Sequence, residues 1–352
     1  MRQLIYLLIG LILFIACFPI EEKKLSDKSA MIELGHFLFF DKDLSWDRSK
    51  SCASCHDPQL GFVDGYKRAL NGNAEVLLRN TSSTLNMQNR TIFGWSNPSI
   101  SSLEKQMERP LFATHPVEMG LKGKEGEIVK RIMQKEQYAS LYQKAFSVDI
   151  KQLEFQEIVD CIVSYEFKLQ SRNSKYDQFS KSRDTGILSV SERNGMNLFF
   201  SASLSCSACH GGLDFDRAAS GDQFANTGLY NCDNSYPIAD LGLQSHTGNK
   251  DDNGKFRIPS LRNVMITSPY YHDGSESNLE RVIENYERRG RNNKSLDCFG
   301  DGALHPSIDH RLKSFTLSYD ERKDLIAFLN ILTDTSYLNQ YFFNDPFNWN
   351  SL

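Results

Sequence analysis

The chain has 352 residues, and its 40 Lys+Arg against 44 Asp+Glu leave a formal net charge of −4. That balance excludes the strongly basic surface a nucleic-acid binder needs, and the length suits two domains of ordinary size. Its 23 Phe and 14 Tyr supply aromatic walls for large apolar groups.

The first element is an N-terminal Met1-Arg2 followed by an apolar run that ends Phe14-Ile15-Ala16-Cys17. A short charged start, an apolar stretch and a small residue form an export signal, and the run is short for a membrane span. The segment resembles a bacterial lipoprotein signal, with Cys17 as the lipidated residue. Cleavage by an ordinary signal peptidase and an uncleaved anchor are the other readings. All three put the body outside the cytoplasm, on the periplasmic side, touching a membrane only through the anchor. The expected organisation is a signal peptide over 1–17, a linker over 18–28, an N-terminal domain over 29–171, a linker over 172–188, a C-terminal domain over 189–340 and a tail over 341–352.

Next comes Gly35-His36-Phe37-Leu38-Phe39-Phe40, then Cys52-Ala53-Ser54-Cys55-His56. The same order recurs as Gly195-Met196-Asn197-Leu198-Phe199-Phe200 and Cys206-Ser207-Ala208-Cys209-His210. Cys-x-x-Cys-His is the attachment pattern of c-type haem: two thiols form thioethers to the porphyrin and the His binds iron. With eight Cys and eight His in the chain, roughly 0.004 such motifs are expected by chance. A redox dithiol or half a zinc site is the rival reading, and zinc sites set their paired motifs much closer together. Two covalent haems c are therefore expected, each fed by a short helix, in a duplicated all-α fold of two cytochrome c-like haem domains with long loops.

Between and after the motifs, residues 154–170 carry Phe155, Ile158, Val159, Ile162 and Val163 at helical spacing. Residues 278–289 do so with Leu279, Val282, Ile283 and Tyr286, and residues 320–332 with Leu325, Ile326, Leu329 and Leu332. Residues 172–188, rich in Ser, Lys, Arg and Asp, read as the linker, and 214–259 as loops. No alternating strand pattern appears. Cys161 lies in an apolar helix and reads as a buried thiol. Cys232 and Cys298 can pair in an oxidising compartment or stand as two unrelated thiols.

Several segments resemble the bacterial di-haem cytochrome c peroxidase and MauG superfamily. They are Leu34 to Asp41, the two haem motifs, Arg79-Asn80-Thr81, Phe256-Arg257-Ile258-Pro259-Ser260-Leu261-Arg262-Asn263 and Ser268-Pro269-Tyr270-Tyr271-His272-Asp273-Gly274. They run in family order along nearly the whole chain. Three departures stand out against the ordinary peroxidase pattern. The loop Leu70 to Leu78 lacks the His that caps the first haem. Tyr286 stands where the family supplies a distal Met, as in MauG, which implies a Tyr ligand on the second iron; packing on the porphyrin is the other reading. Phe224-Ala225-Asn226-Thr227-Gly228-Leu229-Tyr230-Asn231 and His115-Pro116-Val117-Glu118-Met119-Gly120 resemble the MbnH branch, whose members oxidise a partner tryptophan.

The resemblance implies roles for further residues. Trp95 falls where the family relays charge between haems. Gln106, Pro110 and Glu118 fall over the open face of the first haem, with Glu118 as acid/base for peroxide cleavage, Gln106 orienting peroxide and His115 a structural turn. Asn80, with carbonyls of Arg257 and Pro259, matches a possible calcium site. The activity implied is a haem peroxidase-type oxidoreductase that takes hydrogen peroxide and oxidises a secreted partner protein, on a Trp in the MbnH branch. A scavenging peroxidase fed by a small cytochrome c or a cupredoxin, and a pure di-haem electron-transfer protein, are the alternatives.

Overall fold

The computed structural model describes residues 26–70, 75–295 and 297–348. The export signal with Cys17, most of the 18–28 linker, residues 71–74 of the loop without His, and the last four residues of the tail lie outside the described residues. Among the described residues no helix is long and apolar enough to cross a membrane.

The architecture is mostly helical and built around two crossings of the same kind. Helix α1 (Lys28–Phe40), N-capped by the Asp27 side chain, runs into the first haem motif. It packs on α4 (Glu136–Phe146) and α5 (Phe155–Lys168), with α2 (Leu103–Phe112) and α3 (Glu125–Met133) beside them. In the second half α7 (Val190–Phe199) packs on α10 (Tyr319–Asn330). Ser189 with Glu192 and Ser318 with Glu321 form capping boxes that start these two helices. Each crossing turns on a glycine: a Cβ on Gly35 would overlap the Cys161 carbonyl, and one on Gly195 would overlap the Asp324 carbonyl. Helix–helix approach this close admits no side chain.

The core follows the halves. One cluster joins Leu34, Leu38, Phe39, Ile158, Ile162 and Tyr165; a second joins Phe199, Phe215, Leu325, Phe328 and Leu332. A smaller one sets Leu229, Tyr236 and Phe256 against Trp95, Tyr230 and Tyr271. The three helices expected over 154–170, 278–289 and 320–332 are present as α5, α9 (Leu279–Glu287) and α10.

Four features correct the reading of the sequence. Short strands exist: β1 (Phe224–Ala225) pairs antiparallel with β2 (Phe256–Arg257), and β3 (Asn292–Ser295) with β4 (Cys298–Asp301). The hairpin shows no alternation because Asn-Asn-Lys-Ser is polar on both faces. It is held instead by a Cys232–Cys298 disulfide and by Asn231 and Asn293 side-chain amides donating to the Asp301 and Leu229 carbonyls. Residues 172–188 contain helix α6 (Lys175–Ser182), whose Asp177 accepts two guanidinium bonds of 2.9 Å from buried Arg262. The loop region 214–259 also holds the short helix α8 (Gln244–Thr247). Finally, the chain end returns to the first half. Tyr337 and Phe343 enter the first cluster, and the Tyr165 hydroxyl donates to the Phe342 carbonyl at 2.7 Å.

Candidate functional site

The two Cys-x-x-Cys-His segments adopt one local geometry. Each opens as a single 3-10 turn, Cys52–Ser54 or Cys206–Ala208. The His backbone N–H donates to the carbonyl of the first Cys, at 3.0 Å in the first copy and 2.9 Å in the second. His56 Nδ1 meets the Phe62 carbonyl at 3.0 Å, and His210 Nδ1 meets the Phe215 carbonyl at 3.0 Å. Phe62 and Phe215 both take positive φ, 62° and 55°, which turns each carbonyl back onto the ring. An Nδ1–H spent on a carbonyl leaves the Nε2 lone pair for iron. Burial lowers the pKa of both imidazoles, which keeps them neutral as a metal ligand must be. The thiols are also protected from ionisation by burial, Cys206 pushed up to about 12 and Cys209 to about 11.

His210 faces a large apolar cavity walled by Ile283, Leu325 and Leu329, into which Cys206, Cys209, Trp95 and Tyr286 also project. Tyr286 comes from α9, and burial pushes its phenol well above the usual range. Four arginines line the same cavity; Arg262 and Arg311 are paired with Asp177 and Asp309, and the other two, Arg257 and Arg90, test whether a haem fits. Arg257 is 3% exposed and its Nε has no partner; Arg90 leaves Nε and Nη1 buried without partners. Burial lowers the pKa of both, against the pull of Asp216 on each and of Asp214 on Arg90, and the Arg90 cation lowers that of Arg257 further. Adjacent buried cations with unused donors call for a bound anion, and the propionates of a haem held by Cys206, Cys209 and His210 meet that need. The residues therefore fit haem.

The first centre is furnished differently. Pro110 lies inside α2 and has no N–H to donate, and the helix end is bound instead by a returning segment. Met119 N–H donates to the Pro110 carbonyl and Leu121 N–H to the Leu111 carbonyl, both at 2.9 Å. This pinning brings Glu118 to the C-terminal end of α2, where the Arg109 cation acts on it. Gln106 Oε1 is buried without a partner. Burial raises the Glu118 pKa against the pull of Arg109 and Lys50, and Glu118 in turn lies within electrostatic reach of the Cys55 thiol. His115, three residues away, is exposed.

Trp95 is anchored at both ends of its residue. Its Nε1–H donates to the Asn80 carbonyl at 3.0 Å, its own carbonyl accepts from Arg257 N–H at 2.8 Å, and the Arg257 guanidinium lies 5.5 Å from the ring centre. The Asn80 amide donates to the Tyr66 and Lys67 carbonyls. Among the described residues no group of three or more acidic, His or Cys side chains could hold a metal ion. Asn80 with the carbonyls of Arg257 and Pro259 thus offers calcium no carboxylate, and the only charge these residues bring is the Arg257 cation; they do not fit the ion.

Of the other histidines, His272 lines the His210 cavity, His310 is exposed, and three are held by other partners. His36 meets the Asn344 carbonyl, His305 meets Asn226 and Asn253, and His246 meets Ser96. His272 lies flat on Phe256 with ring centres 3.5 Å apart. Sequence reasoning missed the guanidiniums of Arg90 and Arg257. For Arg257 the signal was present, a cation set between apolar neighbours in Phe-Arg-Ile-Pro; for Arg90 there was none. It also missed Glu166, 5% exposed on α5, whose carboxyl acts electrostatically on the Cys52 thiol.

Comparison with known proteins converges on one group. Residues 29–185 match the family described as di-haem cytochrome c peroxidase. The methylamine utilization protein MauG of Methylorubrum extorquens is 30% identical over 301 residues, spanning 86% of this chain and 77% of that protein. Cytochrome c551 peroxidase of Nitrosomonas europaea is 30% identical over 263 residues, 74% of each chain. The crystal structure of a MauG-like protein associated with microbial copper homeostasis superposes with a TM-score of 0.86 at 34% identity, covering 93% of this chain and 95% of that one.

Proposed function

Because this chain belongs to the di-haem cytochrome c peroxidase family and is a haem peroxidase-type oxidoreductase with two c-haem motifs, we propose that it uses hydrogen peroxide to oxidise a side chain of a secreted partner protein, a Trp in the reading we favour. It works on the periplasmic side of a bacterial membrane, held there by lipid on Cys17.

The observation behind this reading is the unequal furnishing of two like haem loops. The His56 loop has the half-buried Glu118 carboxyl within electrostatic reach of Cys55, and the His210 cavity is lined by a phenol. Haem supplies the reduction of peroxide and the storage of the resulting oxidising equivalents. Glu118 takes the first peroxide proton and returns it to the leaving oxygen, turning it into water. Its raised pKa suits both halves of that task. Gln106 Oε1 accepts the remaining peroxide O–H and orients the molecule. Trp95, held by Asn80 and Arg257, relays charge between the centres, and Tyr286 would hold the second iron through its phenolic oxygen, giving up its proton on binding the metal.

Co-expression with a candidate secreted partner, taken from genes adjoining this one, followed by weighing that partner, tests the reading. Oxygen addition at a partner Trp that requires both peroxide and Trp95 is the expected result. An unmodified partner with rapid peroxide turnover on reduced cytochrome c would establish the scavenging peroxidase, the activity named for the Nitrosomonas relative.

A further inference from the structure

Two sequence segments that the peroxide chemistry leaves unused meet in space. One is Asn226 to Asn231; the other is Tyr270 to Gly274. The Tyr230 hydroxyl of the first donates to Asp273 Oδ2 of the second at 2.6 Å. Tyr230 is half-buried, and an unbroken run of rings leads to it from the second haem cavity. Phe256 and His272 line that cavity and lie parallel 3.5 Å apart. The Tyr236 ring is 6.3 Å from His272, and the Tyr230 ring is 5.6 Å from Tyr236. Trp95 packs against the same cluster.

Within this run Tyr230 differs from its neighbours in having a base. The Tyr236 hydroxyl donates to the Asn226 amide oxygen, and the Tyr271 hydroxyl accepts from the Asn285 amide; neither partner can take a proton. Other tyrosine–carboxylate pairs exist, Tyr138 with Asp41, Tyr142 with Glu157 and Tyr341 with Glu33. Those three belong to the first half and its chain-end cover, away from the cavity. The Arg291 guanidinium lies 4.6 Å over the Tyr230 ring and opposes a positive charge on it. Electron loss at Tyr230 must therefore be joined to loss of its proton, and Asp273 is placed to receive it.

We infer that Tyr230 is a redox relay that carries oxidising equivalents from the second haem cavity toward the protein surface, its phenolic proton passing to Asp273 and back. The inference rests on the proposed use of hydrogen peroxide as oxidant. One peroxide takes two electrons and two protons and becomes two waters. Each electron drawn through Tyr230 leaves a neutral tyrosyl and a protonated Asp273 carboxyl. A partner side chain then supplies an electron, Asp273 returns the proton, and the partner or solvent releases the protons that balance the waters.

The test uses the two-haem protein mixed with hydrogen peroxide, freeze-quenched and read by electron paramagnetic resonance. A tyrosyl signal that narrows on ring deuteration of tyrosine is expected, falling at least about tenfold in Tyr230→Phe and in Asp273→Asn, as loss of a positioned base implies. Asp273 accepts from the Tyr230 hydroxyl on Oδ2 and from the Ser275 N–H on Oδ1; the Asn variant keeps one of these acceptors and turns an NH2 to the other, so its melting curve is recorded beside the signal to separate loss of the base from loss of fold. Both variants should keep the parent's haem absorbance change on peroxide addition. An unchanged tyrosyl signal in both would overturn the relay. If peroxide leaves the parent's haem absorbance untouched, the peroxide reading fails instead. A photogenerated ruthenium(III) oxidant then decides the relay alone: a signal dependent on Tyr230 upholds it, and an equal signal in parent and variants ends it.

Discussion

The two haem loops are near copies, and their surroundings are not. Both rest on a glycine crossing, at Gly35 over α5 and Gly195 over α10. Both aim a His Nδ1 at the carbonyl of a Phe with positive φ. The scaffold thus delivers the same proximal ligand twice. What differs comes from elements outside the repeated unit: α2 and the Met119 return at the first centre, α9 with Tyr286 at the second. In the proposed reading the duplicated loops hold the two irons, and the added elements set what each can do.

The largest effect should come from removing the base of the first centre. Glu118→Gln should slow the peroxide reaction by about 10²–10⁴-fold while leaving both haem attachments intact, as measured by stopped-flow absorbance. Burial raises the Glu118 pKa, so the base form is gained as pH rises through that raised value. The parent rate should climb with pH across that range, and the Gln variant should lose the climb. A Gln variant with parental rates would remove the asymmetry between the centres.

A second difference lies in covalent reinforcement. The second half carries the Cys232–Cys298 bridge across 66 positions, and no disulfide is present in the first half among the described residues. Cys298→Ser, with Cys232→Ser to avoid a stray thiol, should lower unfolding stability by about 2–4 kcal/mol. The His56 haem spectrum should stay unchanged. Denaturant unfolding followed at both haems measures it, and equal midpoints for parent and double variant would show the bridge to be dispensable.

These contrasts also mark what could be read from the chain. The haem loops and the α5, α9 and α10 helices were legible because motif spacing and apolar periodicity are local signals. The roles proposed for Glu118, Gln106 and Tyr286 rest on the family resemblance and not on their sequence neighbours. The hairpin was invisible because β3 is polar on both faces and β4 is only four residues with a Gly inside it, and the Cys232–Cys298 pairing because it depends on a fold that brings distant loops together. Arg90 left no trace: its burial follows from a cavity assembled by both halves. The return of Tyr337 and Phe343 to the first core was likewise a tertiary choice that no local pattern announces.

Tyr286→Phe sharpens the comparison with less disturbance, since the ring stays and only the hydroxyl leaves. If the phenol ligates the second iron, that haem should lose low-spin character by electron paramagnetic resonance while stability shifts by less than about 1 kcal/mol. An unchanged haem spectrum with a changed melting curve would make Tyr286 a packing residue, and the second cavity would then be apolar throughout on that side.

The smallest predicted effect concerns a position where the copies diverge inside the repeated unit itself. Gly35 meets Cys161 and Tyr165 on α5, and Gly195 meets Asp324 and Phe328 on α10. In that register Glu166 of α5 corresponds to Leu329 of α10, which lines the second cavity. Burial alone raises the Glu166 pKa from 4.5 to about 8. A carboxyl whose pKa is raised on folding contributes stability in full below its unfolded value, and that contribution is lost as pH rises through the folded one. The parent should therefore lose stability between about pH 4.5 and pH 8 as the buried carboxyl comes under pressure to ionise. Glu166→Leu, which makes the first copy resemble the second, should remove that loss. At pH 8.5 the variant should melt above the parent by at least about 2 °C more than it does at pH 5. Parallel pH profiles for the two would mean that Glu166 stays solvated in the haem-loaded protein, and that the first centre tolerates a charge where the second has only Leu329.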